Sequence, residues 1–367
     1  MIKGFLFSGR LALQQRVLPS YRVSFFEMLA AACEGGLSLF AGLPRAGEGI
    51  INGRLQIADA VAANNIHIFR GPFYLCYQGG LIRWLENSNP DALIVEANPR
   101  YLATPAAVRW MHARGRKVIG WGSGAPPLAG PLRGLRQTRR VQFLNQFDAL
   151  IAYSRRGADE YGALGFPRTR IFTACNSVSP RPTSPLPRRP PAFKDGAVIL
   201  FVGRLQARKR VNDLLRACSE IELKPRLIIV GDGPERRHLE GLAKRVYPSA
   251  EFVGARHGAE LKPYFTEADL FVLPGTGGLA VQEAMSYGLP IIVARGDGTQ
   301  DDLVRQSNGW QIPPEDYDAL LRTLRAALSD AARLRTMGAE SYRIVSEEIN
   351  LEKMVEAFGR ALNSLAL

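Results

Sequence analysis

The chain has 367 residues, 46% of them hydrophobic, and a formal net charge of +13. That length is too great for one average domain and suits two of roughly 150 to 200 residues each, with packed cores. No apolar run reaches the roughly 18 residues needed to span a bilayer, and the scattered cysteines Cys33, Cys76, Cys175 and Cys218 suit neither a zinc site nor a disulfide framework, which fits a reducing cytoplasm.

Residues 1–7 form too short an apolar segment for a secretory core and read as a first buried strand, running into a loop at Ser8, Gly9 and Arg10. Residues 24–32 carry helical spacing in Phe25, Phe26, Met28 and Leu29. Residues 92–95, 117–120 and 149–152 are further strand candidates, each followed by a loop able to face a ligand, Asn98 to Arg100 among them. Gly120-Trp121-Gly122-Ser123-Gly124 reads as a glycine-rich turn with a packed Trp121. Arg133, Arg136, Arg139 and Arg140 fall largely on one helical face. The net charge is +11 over residues 1–178, +3 over 179–195 and −1 from 196 onward. Two readings of the basic face stand open: a solvated surface, or attachment to an anionic membrane at about 1 kcal/mol per basic residue. Without interleaved stacking aromatics or a recognised binding motif, nucleic acid is not expected as a partner.

Residues 179–191 hold six prolines, which fit neither helix nor sheet interior. They mark a boundary: a first domain over 1–178, a proline-rich linker over 179–195, a second domain over 196–348 and a tail over 349–367. The second domain alternates strand and helix. Residues 198–202 form a continuous apolar run ending in Gly203, 211–221 have helical spacing, and 226–230 form the next strand before the turn Gly231-Asp232-Gly233-Pro234. Residues 251–254, a helix near 260–266, and strands at 269–273 and 290–294 continue the alternation. This pattern predicts a doubly wound α/β sheet with its ligand at the carboxyl ends of the strands. His67, His112, His238 and His257 show no metal-ligand spacing.

Between the last two strands, Gly275, Thr276, Gly277, Gly278 and Leu279 lead into a helix from about Gly278. Small residues there let a phosphate approach the backbone, and first-turn N–H groups supply donors. Glu283 lies about one turn further on, where a carboxylate can accept hydrogen bonds from ribose hydroxyls.

With Ala284-Met285 and Gly288-Leu289-Pro290, Glu283 resembles the second half of the donor-binding signature of the family-4 glycosyltransferases; the first glutamate of that signature falls at Gly275. Gly203, Arg204 and Lys209 resemble the same family's phosphate clamp, and residues 21–27 are similar to an early family stretch. The resemblance implies the GT-B fold, two Rossmann-like doubly wound domains facing across a cleft, with the tail helix crossing back to the first domain. It implies retaining transfer of a sugar from a nucleotide diphosphate sugar, a UDP-sugar being favoured, to a glycan or lipid-linked acceptor by a front-face route that needs no metal or cofactor. Arg204, Lys209 and Glu283 would carry the chemistry. Gly9, Gly203, Gly231, Val253, Arg256 and the segment Gly275 to Leu279 would help to hold the donor, and Ser123 and Arg100 would face the acceptor. Ser123 stands where many members place a histidine, so no general base is carried over. The implied location is cytoplasmic, with peripheral contact on the inner membrane face through the basic first domain. Two alternatives share the architecture: a non-catalytic nucleotide-sugar-binding protein and a nucleotide-sugar 2-epimerase.

Overall fold

The computed structural model describes residues 6–45, 47–193, 195–296 and 298–365. The chain divides into two units, one of Met1–Val178 with Leu351–Leu367 and one of Ser179–Asn350.

The first unit is built on strands β1 (Leu11–Val17), β2 (Leu37–Gly42), β3 (Asp59–Ile68), β4 (Leu75–Gly79), β5 (Ala92–Glu96), β6 (Lys117–Gly122), β7 (Ala149–Ala152) and β8 (Ile171–Thr173). Their order is β4-β3-β2-β1-β5-β6-β7-β8. Neighbours run parallel except at the edge, where β3 and β4 form an antiparallel hairpin. Strand β5 shows why its run is continuously apolar. Ala92 and Ile94 pack into a core shared with the helices Val23–Ala31 and Leu351–Asn363, whereas Leu93 and Val95 pack on the other face with Leu85, Val108 and Phe143. The tail helix therefore belongs to the first unit. Its Phe358 sets an edge against Phe25 and Trp121, each at 5.0 Å.

The expected first strand is displaced. Residues 1–5 lie outside the described residues, and Phe7 makes only an isolated parallel bridge with Cys33. The first strand among the described residues is Leu11–Val17, whose buried Gln14 and Gln15 break the apolar pattern that sequence reading looks for. The Gln14 amide is satisfied laterally, its Oε1 accepting from the Glu96 amide at 3.1 Å and its Nε2 donating to Gln78 Oε1, while Gln15 Nε2 donates to the Gln14 carbonyl at 3.3 Å. The displacement corrects the placement of Gly9. Arg10 N donates to Asp91 Oδ2 at 2.7 Å, next to Ala92 where β5 begins, so Gly9 sits at the amino ends of the strands. Asp91 already fills its surroundings, and a Cβ on Gly9 would stand 2.9 Å from that carboxylate.

The second unit carries strands β9 (Val198–Val202), β10 (Arg226–Val230), β11 (Glu251–Gly254), β12 (Leu270–Leu273), β13 (Ile291–Ala294) and β14 (Gly309–Ile312). They are ordered β11-β10-β9-β12-β13-β14 and all pair in parallel. The proline-rich segment has neither helix nor strand among its described residues, yet it is fastened to this unit. The Arg189 guanidinium donates to the carbonyls of Phe265, Ala268 and Tyr287, each at 2.8 Å, and Tyr342 donates to the Ser184 carbonyl at 2.7 Å. Residues expected to be a connector thus form a strap across the second unit. No helix among the described residues is long and apolar enough to cross a membrane.

Candidate active site

Strands β9 to β12 of the second unit end on one edge, and glycine draws their loops together. A Cβ on Gly231 would stand 1.9 Å from the Gly203 carbonyl oxygen, and one on Gly233 2.3 Å from that of Leu205. Both have positive φ, 146° and 159°, so backbone conformation and close approach demand glycine together. Leu205 N donates to the Asp232 carbonyl at 2.8 Å, and Gly231 N to that of Gly254 at 2.9 Å. The Asp232 carboxylate accepts from Gly233 N at 2.6 Å and pairs with Arg236 at 3.1 Å, a structural turn as its sequence suggests.

The loop after β9 also meets the loop after β12. Thr276 N donates to the Arg208 carbonyl at 3.1 Å, and Lys209 Nζ donates to the carbonyls of Thr276 at 2.8 Å and Gly277 at 2.9 Å. Lys209 is buried, 6% exposed, and burial reinforced by the neighbouring Arg208 charge lowers its pKa to about 8. Gly275 is the residue that permits this approach. A Cβ there would stand 2.1 Å from the Arg208 carbonyl oxygen and 2.5 Å from Lys209 Cα. The position that resembles the first signature glutamate therefore has no room for any side chain in this backbone.

Around the clamp lie groups with unused capacity. Arg204 is exposed on the β9 loop without a partner among the described residues. The backbone N–H groups of Gly277, Gly278 and Leu279 likewise donate to nothing among those residues. Glu283, in the helix Ala280–Ser286, is half-buried without a hydrogen-bond partner among them, and burial raises its pKa. Val253 is half-buried in β11, and Arg256 beyond it is exposed and folds onto the Ala255 carbonyl at 3.2 Å. The loops thus join Gly203, Lys209, Gly231, Gly275, Thr276 and Gly277 directly. Val253 and Arg256 are linked to that set through the Gly231–Gly254 hydrogen bond, and Gly9 is in the other unit.

In the first unit, a cavity of about 510 Å³ opens beyond the carboxyl ends of β5 and β6. Both expected acceptor-side residues, Arg100 and Ser123, line it, together with Glu96, Asn98 and Arg140. Sequence reading missed Glu96, although a carboxylate closing the apolar run of β5 was a visible signal. Burial raises its pKa against the opposing hydrogen bonds from Tyr101 and the Arg16 amide. Arg140 had been assigned to a basic face; it turns inward, donating to the Pro126 carbonyl at 2.6 Å. Trp121 is packed as expected, 1% exposed beneath the Arg22 guanidinium at 5.3 Å.

Comparison with known proteins agrees with this architecture. Residues 196–330 match the family model described as Glycosyl transferases group 1. A GDP-mannose-dependent alpha-mannosyltransferase of Corynebacterium glutamicum is 33% identical over 41% of this chain and 36% of its own length. One of the same description from Mycobacterium tuberculosis is 28% identical over 73% of this chain and 74% of its own. The chain spans about a third of the first relative and about three quarters of the second. Among solved structures, the lipopolysaccharide outer core galactosyltransferase WaaB has a TM-score of 0.68 at 17% identity, covering 97% of this chain and 99% of its own. Anabaena Alr3699/HepE in complex with UDP has 0.70 at 14% identity, covering 97% and 99%. These two likenesses establish the fold, with two parallel-sheet α/β units of the GT-B kind. Strand order, the glycine-stitched loops and the match over 196–330 converge on one architecture, in which the second unit matches the glycosyl transferases group 1 family over those residues.

Proposed function

We propose that the protein is a glycosyltransferase that moves a hexose from a nucleotide diphosphate sugar to a glycan or lipid-linked acceptor with retention of configuration. One observation carries the reading: Lys209 is a buried cation held by carbonyls alone, with the free N–H groups of Gly277 to Leu279 and the partnerless carboxylate of Glu283 on the same segment. A diphosphate supplies the missing anion and a ribose supplies the missing hydroxyl donors. Arg204 and Lys209 would balance the charge growing on the departing nucleoside diphosphate without a metal. The acceptor oxygen would bond to the anomeric carbon on the face from which the phosphate oxygen leaves, and the acceptor proton would pass to that oxygen. No separate base is required by this route. Binding without turnover, or isomerisation of the donor, would be the two other uses of such a site.

The reading places the acceptor at the cavity of Glu96, Arg100, Ser123 and Arg140. The basic first unit favours a site of action at an anionic inner membrane face in the cytoplasm. For the nucleotide base, the sequence reading favours UDP, whereas both relatives cited are named for GDP-mannose. Calorimetric titration of UDP, GDP and ADP tests the site before any acceptor is known. One nucleotide should bind, and Glu283→Ala should weaken it by about tenfold or more. Absence of binding by all three would overturn the reading, and tight binding without transfer or hydrolysis of the matching sugar donors would move it to a binding protein.

A further inference from the structure

A second cavity of the first unit, about 670 Å³, lies beyond the carboxyl ends of β2 and β3 and takes no part in the site above. Arg45, Glu48, His67 and Arg70 line it. Arg45 is fixed from two sides: its Nε donates to Glu48 at 3.1 Å, and its guanidinium lies 4.6 Å from the Tyr74 ring centre. Arg16 approaches the same carboxylate from behind, at 2.9 Å. His67 Nδ1 is 2.9 Å from the Tyr74 hydroxyl, which sets the ring orientation. Burial, then the Arg16 and Arg45 charges, hold His67 below its usual range, so its imidazole is neutral near neutral pH. Arg70 is exposed and has no partner among the described residues.

Arg16 and Arg45 meet the Glu48 carboxylate while Arg70 lines the same cavity, which leaves two positive charges, one on a pre-oriented planar fork and one on a free side chain. That excess equals the charge of a phosphate monoester dianion, and arginine forks match its oxygens. We propose that this cavity is an anion site for a phosphate-ester group carried by the acceptor. The word acceptor rests on the glycosyltransferase reading; the anion site does not. The phosphate has two chemical sources, a free sugar phosphate or a lipid headgroup. Phe69 and Phe73 flank Arg70 on the same hairpin turn, 68% and 77% exposed, and would serve the second source.

Inorganic phosphate is titrated into the full chain carrying Arg204→Gln and Lys209→Met, which removes both cations of the clamp of the second unit, and into the same chain with Arg70→Glu. Arg70 is exposed and makes no hydrogen bond or ion pair among the described residues, so the second variant should fold as the first does, which circular dichroism checks. The proposal expects phosphate binding in the first and about a tenfold loss in the second. Equal binding by both, or none by the first, overturns it. Nucleotide affinity unchanged by Lys209→Met would sink the donor reading while leaving the anion site standing. Co-sedimentation with vesicles of phosphatidic acid in phosphatidylcholine separates the sources. A lipid phosphate requires Arg70→Glu and the pair Phe69→Ser with Phe73→Ser each to lower vesicle binding. A free ester requires vesicle binding to ignore both while phosphate binding still falls with Arg70→Glu.

Discussion

Lys209 is held in a state that folding alone disfavours. Its folded pKa of about 8 lies below the ordinary 10.5, so between those values the unfolded chain holds a proton that the folded one has released. The destabilisation is therefore complete below pH 8 and is relieved as pH rises through that window. At neutral pH it is on the order of 3 kcal/mol. Lys209→Met should leave the protein as stable or raise its Tm by a few degrees, while lowering nucleotide affinity by about tenfold or more; thermal unfolding and calorimetry on one preparation check both. Nucleotide affinity should also fall as pH rises above about 8, and fall again on acidification through the raised range of Glu283, a bell lost on its acid side in Glu283→Ala. Gly275 carries a complementary prediction. Gly275→Ala forces the loops after β9 and β12 apart, at about 2 to 4 kcal/mol in urea unfolding, and Gly275→Glu does so without restoring a family carboxylate.

At the scale of elements, two contacts hold pieces that the chain order would leave loose. Phe358 is fully buried against Phe25 and Trp121, so Phe358→Ala should cost about 3 to 5 kcal/mol and change the emission of the buried Trp121. Arg189 joins the segments entering β12 and β13, at Phe265, Ala268 and Tyr287, and burial lowers its pKa to about 10. Arg189→Ala leaves those carbonyls without their donor, which should cost about 2 to 4 kcal/mol and open the strap to limited proteolysis. The strap also marks a limit of sequence reading. Six prolines announce that 179–191 is neither helix nor strand, but a fastening through one arginine to three distant carbonyls has no local signature. Strands β9, β12 and β13 were legible because both faces are buried and every position is apolar. Strand β1 was not, because Gln14 and Gln15 replace that uniformity with hydrogen bonds, and reading residues 3–7 in its place carried Gly9 to the wrong end of the sheet. The donor-side loops were legible for the opposite reason: close backbone approach demands glycine, and glycine is visible in a sequence. Glu96, Arg140 and the Arg45–His67 pocket depend on which strands neighbour one another, which no single segment records.

For the whole molecule, charge is divided by unit more sharply than by residue type. Residues 1–178 carry +11, and residues from 196 onward carry −1. Within the helix Arg133–Leu144 the basic run is itself divided: Arg140 is committed to the cavity and Arg136 donates to the Ala129 carbonyl at 3.1 Å, while Arg133 and Arg139 remain exposed beside Leu132 and Leu135. Attachment to an anionic bilayer would then draw on the field of the unit more than on any one arginine, at about 1 kcal/mol for each group near the surface. Such a field is screened within about 10 Å at 0.1 M salt, whereas inserted apolar groups are not. Vesicle binding by the intact protein should accordingly weaken steeply as salt rises, and Arg133→Gln with Arg139→Gln should remove about tenfold of it without altering nucleotide affinity. Binding that ignores both salt and these substitutions would assign the attachment to exposed apolar side chains, and no binding at any anionic content would leave the charge as a solvated surface.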